Sequence, residues 1–272
     1  MPLSTERAAK VERLIKDNAG PSELAADLDI VEADLRAVLN KEHPYYSDSV
    51  LLRNFLIARK LRVDETLQML DAHAAWRQAN LPVRITDPLI EELKKGKAEH
   101  YGTDSEGRPL VIVRSGRFDP KVRDLKVALA AVIYQVEKAI AWAGSSHTKF
   151  TIFYDRNGFS LRQNWDFEYI KAVVTMLSDN YPERLSGIYL YPSGHVLAGL
   201  VSLVKPFIDV RTRSKVHMVT SDRLLLQLVP SEFVPVTSGG TSTHVFDPSI
   251  YDDLKAEVHA EPGQATVAVE LS

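Results

Sequence analysis

The spacing of apolar residues changes about a third of the way along the chain. Leu24, Leu28, Val31, Leu35, Val38 and Leu39 recur at helical intervals, which predicts an amphipathic helix that Pro44 ends. Leu51, Leu52, Phe55 and Leu56 mark one face of a second helix. Leu67, Leu70 and Ala74 mark a third, with Asp64 as its expected N-cap and Asn80-Leu81-Pro82 as its end. After the turn sequence Asp104-Ser105-Glu106-Gly107-Arg108-Pro109 the pattern becomes short apolar runs alternating with long amphipathic stretches. The runs 110–113, 150–154, 188–191 and 216–219 predict strands. Between them come three expected helices. One starts near Asp124 with Leu125, Leu129, Val132, Val136 and Ile140 facing inward. One is capped by Asn164, with Ile170, Val173, Val174 and Leu177 buried, and the last covers about 195–206. Strands separated by long helices need crossover connections, so the expected class is α/β with a mostly parallel sheet. The tail 261–272 is weakly patterned and fits an edge strand or no fixed structure.

The stretch from Asn180 to Lys215 departs from ordinary amphipathic design. Eleven residues, 194–204, carry no charged side chain, and Lys205, Arg211, Arg213 and Lys215 follow closely. Val196, Leu197, Leu200, Val201, Leu203, Val204 and Phe207 cover most of the helix circumference. Two readings fit: a core helix, or a lid over an apolar cavity that can lie against a bilayer. The neighbouring cations favour the lid, because a buried phosphate must be neutralised and hydrogen-bonded before it leaves water.

Composition narrows the classes. The 272 residues are 45% hydrophobic and 25% charged with net charge −3, which argues against a general nucleic-acid binder. The absence of cysteine removes disulfides and thiolate metal sites. No run approaches the roughly 20 apolar residues that cross a bilayer, and the charged N-terminus has no signal-like apolar core. A soluble, cytoplasmic protein is expected.

Catalytic arrangements are lacking. Ser238-Gly239-Gly240-Thr241 lacks the lysine of a phosphate loop, and Ser193-Gly194-His195 is no nucleophile elbow. The eight histidines include no His-x-x-x-His pair, so no metal site and no enzyme activity are expected.

Several segments nevertheless resemble one family in order and spacing. Leu51-Leu52-Arg53-Asn54-Phe55-Leu56-Ile57-Ala58-Arg59-Lys60, with Met69-Leu70 and Trp76-Arg77, is similar to the N-terminal helical segment of the CRAL-TRIO family. The 104–110 segment, Tyr181-Pro182-Glu183-Arg184, Lys205-Pro206-Phe207-Ile208-Asp209, Thr212-x-x-Lys215 and Pro235-x-x-x-Gly239-Gly240 resemble its lipid-binding domain. The resemblance implies a helical region over 1–85, a lipid-binding domain over 86–247 and a tail over 248–272. It implies a mixed sheet floor, helices around a deep apolar pocket, and a gate helix at 195–207.

Arg59, Lys60, Glu183, Thr212 and Lys215 stand where the phosphatidylinositol-transfer branch holds its headgroup, with Asp209 in the same segment. The resemblance makes the cations phosphate ligands and Glu183 a partner of Lys215 or of an inositol hydroxyl. Val196, Leu197, Leu200, Val201, Val204, Phe207, Phe150 and Ile152 become gate and pocket residues. Two departures matter. His100, Val111, Phe150 and Ile152 replace the polar set of the branch that also carries phosphatidylcholine, so a different second ligand, such as a sterol, is expected. Tyr191-Pro192-Ser193-Gly194-His195 replaces the usual turn before the gate.

The implied function is non-enzymatic: a monomeric carrier, reversibly associated with membrane surfaces, with phosphatidylinositol as ligand and no cofactor. Alternatives are a carrier of a sterol, retinoid, tocopherol or haem-like molecule, and a lipid-sensing regulatory module.

Overall fold

In this computed structural model, residues 9–11, 13–14, 24–144 and 148–255 are described; the tail 261–272 lies outside them. The chain forms two compact units. The first comprises Met1–Leu81, Thr175–Glu183 and Ile208–Ser214; the second comprises Pro82–Val174, Arg184–Phe207 and Lys215–Ser272.

In the first unit, α1 (Ala25–Val38), α2 (Ser49–Ala58) and α3 (Val63–Asn80) bury Leu28, Leu35, Leu52, Phe55, Leu56 and Leu70 in one cluster. Asp48 caps α2 by accepting from the Leu51 N–H at 2.9 Å. The N-cap of α3 is Arg62 rather than Asp64, which sits in the first turn with Glu65. There the two carboxylates complement the positive end of the helix. The buried stripe of α3 is Thr66, Met69, Leu70 and His73, rotated from the expected Leu67, Leu70 and Ala74. Its polar members are satisfied: Thr66 Oγ1 donates to the Arg62 carbonyl at 2.8 Å, and His73 Nδ1 meets Asn180 Oδ1 at 3.1 Å. Trp76 and Tyr181 then pack edge to face, tying the 175–183 segment into this unit.

The second unit is built on a sheet of β1 (Ala98–Thr103), β2 (Pro109–Arg114), β3 (Phe150–Asp155), β4 (Leu185–Tyr191) and β5 (Val216–Met218), in that spatial order. Only β1 is antiparallel to its neighbour; the other pairs are parallel. Ahead of the sheet comes α4 (Asp87–Lys94), capped by Thr86. The parallel strands are linked in sequence by α5 (Leu125–Ala143), then α6 (Leu161–Asn164) with α7 (Phe167–Asn180), then α8 (His195–Val204) with α9 (Val210–Ser214). Sequential right-handed crossovers that always step the same way put their helices on one face of a sheet. The opposite face, bearing Leu110, Ile112, Phe153, Tyr189 and Tyr191, packs on Val219, Leu225, Val229 and Val234, the last residues lying in and after α10 (Asp222–Leu228). A third cluster joins Leu89, Ile90 and Leu93 of α4 to Phe246 and Tyr251.

Several expected details shift. Asp124 caps α5 as predicted, accepting from the Val127 N–H at 3.1 Å. The fully buried residues of α5 are Ala128, Ile133, Gln135, Val136, Ala139 and Ala143; of the five expected, only Val136 is among them. Asp166, not Asn164, begins α7, accepting from the Tyr169 N–H at 3.0 Å. Asn164 instead donates to the Phe118 carbonyl at 2.6 Å. Ile170, Val173, Val174 and Leu177 of α7 are half-buried rather than buried.

The turn before β2 is fixed by one carboxylate. Buried Asp104 accepts from Thr151 Oγ1 at 2.6 Å, from Arg108 Nε at 2.7 Å, and from two turn N–H groups. Burial alone would raise its pKa, but the Thr151 and Arg108 hydrogen bonds hold it below the ordinary value.

Candidate functional site

Of the expected headgroup residues, Lys215 is buried, Arg59, Glu183 and Thr212 are half-buried, and Lys60 and Asp209 are exposed. Helix α2 ends at Arg59, after which Lys60 and Leu61 take φ of 53° and 60°. The Leu61 N–H bonds the Leu56 carbonyl at 2.8 Å and the Lys60 N–H bonds the Ile57 carbonyl at 3.1 Å. That is a Schellman stop with lysine where glycine is the usual residue. Glu183 has φ of 58°. Among the described residues, Lys60, Leu61 and Glu183 are the non-glycine positions with positive φ. Such conformations cost about 1–2 kcal/mol each and concentrate at functional sites.

Glu183 engages Arg211 of α9. Arg211 Nε donates to Glu183 Oε1 at 2.8 Å and Nη2 to Oε2 at 3.1 Å, with both side chains 7% exposed. This is a bidentate fork withdrawn from water. Asp209 accepts from the Thr212 N–H at 2.9 Å and its carbonyl from the Arg213 N–H at 3.0 Å, so it starts α9. Arg59, Lys60, Glu183, Asp209 and Thr212 belong to the first unit. Lys215, buried, belongs to the second, where its carbonyl accepts from the Ile188 N–H at 2.8 Å. The chain thus withdraws two cations of one short segment, Arg211 and Lys215, from solvent. Arg211 was visible in the sequence only as one of four nearby cations; its buried pairing with Glu183 has no local signature.

In the second unit the uncharged segment forms α8, followed by a 3-10 turn at Lys205–Phe207. Pro192, joined to Tyr191 through a cis peptide bond, and Gly194, the N-cap, precede it. Leu197, Leu200 and Val204 form a buried stripe, and Val201 is half-buried. Val196 and Leu203 are 63% and 56% exposed, so the helix is not buried all round. Phe207 packs edge to face on Phe167, with the Lys171 ammonium 4.8 Å from its ring centre.

The sheet face towards the crossover helices carries Val111, Val113, Ile152, Tyr154 and Ile188, by alternation from the packed face. Val113, Ile152, Tyr154 and Ile188 are half-buried, as are Leu125, Leu129 and Val132 of α5 and Ile170, Val173 and Val174 of α7. The stripe of α8 belongs to none of the three core clusters. Phe150 itself is buried on β3. Groups here are shielded from bulk water although their surfaces are not fully covered. Burial, with Lys138 nearby, pushes His100 down to about 4 against the hydrogen bond of its Nε2 to the Gln135 carbonyl. Burial raises Tyr154 and Tyr169. A separate cavity of ≈50 Å³ beside Glu92, Lys97, Gln135 and Tyr169 is far smaller than a lipid.

Among the described residues there is no cluster of metal-ligating side chains and no helix long and apolar enough to cross a membrane.

Comparison with known proteins places this architecture. A phosphatidylinositol transfer protein, CSR1, of Eremothecium gossypii is 25% identical over 240 residues, 83% of this chain and 55% of the relative. A phosphatidylinositol/phosphatidylcholine transfer protein, SFH9, of Arabidopsis thaliana is 28% identical over 218 residues, 72% of this chain and 38% of the relative. An alpha-tocopherol transfer protein-like protein of Mus musculus is 27% identical over 219 residues, 76% of this chain and 64% of the relative. The chain therefore spans about two fifths to two thirds of these relatives' lengths. The crystal structure of Sfh5 superposes with a TM-score of 0.57 at 17% identity, covering 96% of this chain and all of that one, a likeness of fold. Residues 93–240, more than half of the chain, match the CRAL/TRIO domain, and the chain belongs to that family.

Proposed function

We propose that this protein is a non-enzymatic lipid carrier that holds phosphatidylinositol and exchanges it between membrane surfaces. One observation carries the reading. The strained backbone at Lys60 and Glu183 falls on two positions expected to hold the headgroup, within a segment set that also withdraws Arg211 from water. Arg59, Lys60 and Lys215 serve as phosphate partners, and Glu183 and Thr212 as hydroxyl partners, with Asp209 fixing the Thr212 turn. Strain of this kind persists only where surrounding structure enforces it.

The apolar lining of the second unit supports the acyl-chain half of the reading. Each methylene moved from water into such a lining contributes about 0.8 kcal/mol. The exposed Val196 and Leu203, near Lys205, suit contact with an anionic bilayer surface during exchange. The relatives' names add support, two being phosphatidylinositol transfer proteins. The protein acts at membranes peripherally, as a monomer and without a cofactor.

A second reading, carriage of another hydrophobic molecule, draws on the alpha-tocopherol transfer protein-like relative and on the replacement of a polar set by His100, Val111, Phe150 and Ile152. Vesicle-to-vesicle transfer separates the two. Lys215→Ala and Arg59→Ala are expected to lose phosphatidylinositol transfer at least tenfold while melting within a few degrees of wild type. Full transfer by both variants would contradict the headgroup assignment.

A further inference from the structure

We propose that Arg211 is a positioning residue of the headgroup site, fixing the Glu183 carboxylate in a single orientation before ligand arrives. The inference rests on the phosphatidylinositol reading but assigns a role to a residue outside the expected headgroup set. Three constraints converge on Glu183. Pro182 fixes its own φ just before it, the Glu183 backbone is held at φ 58°, and the fork pins both carboxylate oxygens at 2.8 and 3.1 Å. A flexible glutamate would lose rotamer freedom on meeting a ligand; a preset one has already lost it.

Arginine suits this task better than lysine, because its planar fork sets the carboxylate plane whereas an ammonium is a point charge. Stability alone is a poor reason for such a pair. Buried ion pairs add little net stability over apolar residues of similar size, and this one sits on a left-handed glutamate. The combination is that of a polar group held ready for a polyol.

The test uses the full chain incubated with phosphatidylcholine vesicles containing equal phosphatidylinositol and phosphatidic acid. Both minor lipids bear a phosphate and only one bears an inositol. Captured lipid is quantified by mass spectrometry and melting is recorded alongside. Arg211→Lys is expected to melt near wild type yet lower the ratio of phosphatidylinositol to phosphatidic acid about tenfold. The double variant Glu183→Gln with Arg211→Met, which removes both members of the fork, is expected to fold and show the same low ratio even if Arg211→Lys unfolds. An unchanged ratio in the folded variants would overturn the role. So would a parallel loss of both lipids with a lowered melting temperature, which marks a structural strut. A wild type that captures phosphatidic acid but no phosphatidylinositol would instead overturn the headgroup reading, and this role with it.

Discussion

His100 shows how burial at a single residue becomes measurable. Its Nε2 lies 2.8 Å from the Gln135 carbonyl, an acceptor only, so that nitrogen carries the proton and the neutral ring donates. Burial, reinforced by Lys138, lowers its pKa to about 4, while the unfolded chain titrates near 6.5. Above pH 6.5 both states are neutral and the group has no effect on stability. Between about pH 6.5 and 4 only the unfolded chain takes up the proton, so stability falls with pH by roughly 1.4 kcal/mol per unit. Urea titrations at pH 6.5 and 5 should therefore differ by about 2 kcal/mol more in wild type than in His100→Gln. Equal pH dependence in both would show that His100 titrates normally. At this scale the sequence carried no sign of side-chain pairing. The fork between Glu183 and Arg211 was not expected from the sequence. Residues 28 apart in sequence meet only through tertiary structure, which periodicity does not encode.

At the scale of elements, the glycines report where backbone needs space. A Cβ on Gly240 would lie 2.0 Å from the Val234 carbonyl oxygen, and one on Gly239, at φ 80°, would lie 2.7 Å from Asp222. The Gly239-Gly240 pair is thus required by close approach. Gly199, inside α8, has nothing within 4 Å of its would-be Cβ. Gly199→Ala is expected to stabilise by about 0.5–1 kcal/mol through helix propensity, and Gly240→Ala to destabilise by about 3 kcal/mol or more. Denaturant melts of the two variants check both signs, and a neutral Gly240→Ala would refute the crowding. The four strands with apolar runs were readable. β1 was not, because Ala98–Thr103 is an edge strand whose buried member is Glu99, paired with Arg114 at 2.7 Å. The short α4 was also missed, although Thr86-Asp87-Pro88 is a start signal. Helix stripes were misjudged where polar side chains with partners, such as Thr66, His73 and Gln135, take core positions.

For the whole molecule, the α/β class followed from strands alternating with long helices, and the family from segments kept in order. The composition of the two units did not, because 175–183 and 208–214 join the first unit across a long interval of sequence. Those two segments carry Glu183, Asp209, Arg211 and Thr212, so much of the proposed headgroup site is contributed by them. In the second unit, apolar residues of β2, β3, β4, α5 and α7 are half-covered, with His100 and Tyr169 shifted by burial among them. A carrier of this design should leave purification or vesicle incubation with its ligand inside. Mass spectrometry of an organic extract of the purified protein, after incubation with mixed-lipid vesicles, reads that ligand without assuming its identity. Phosphatidylinositol at near-stoichiometric yield in wild type, and its loss in a Lys215→Ala variant that still melts normally, is the expected result. A different hydrophobic molecule in the extract, an empty protein, or phosphatidylinositol retained in full by Lys215→Ala would contradict it.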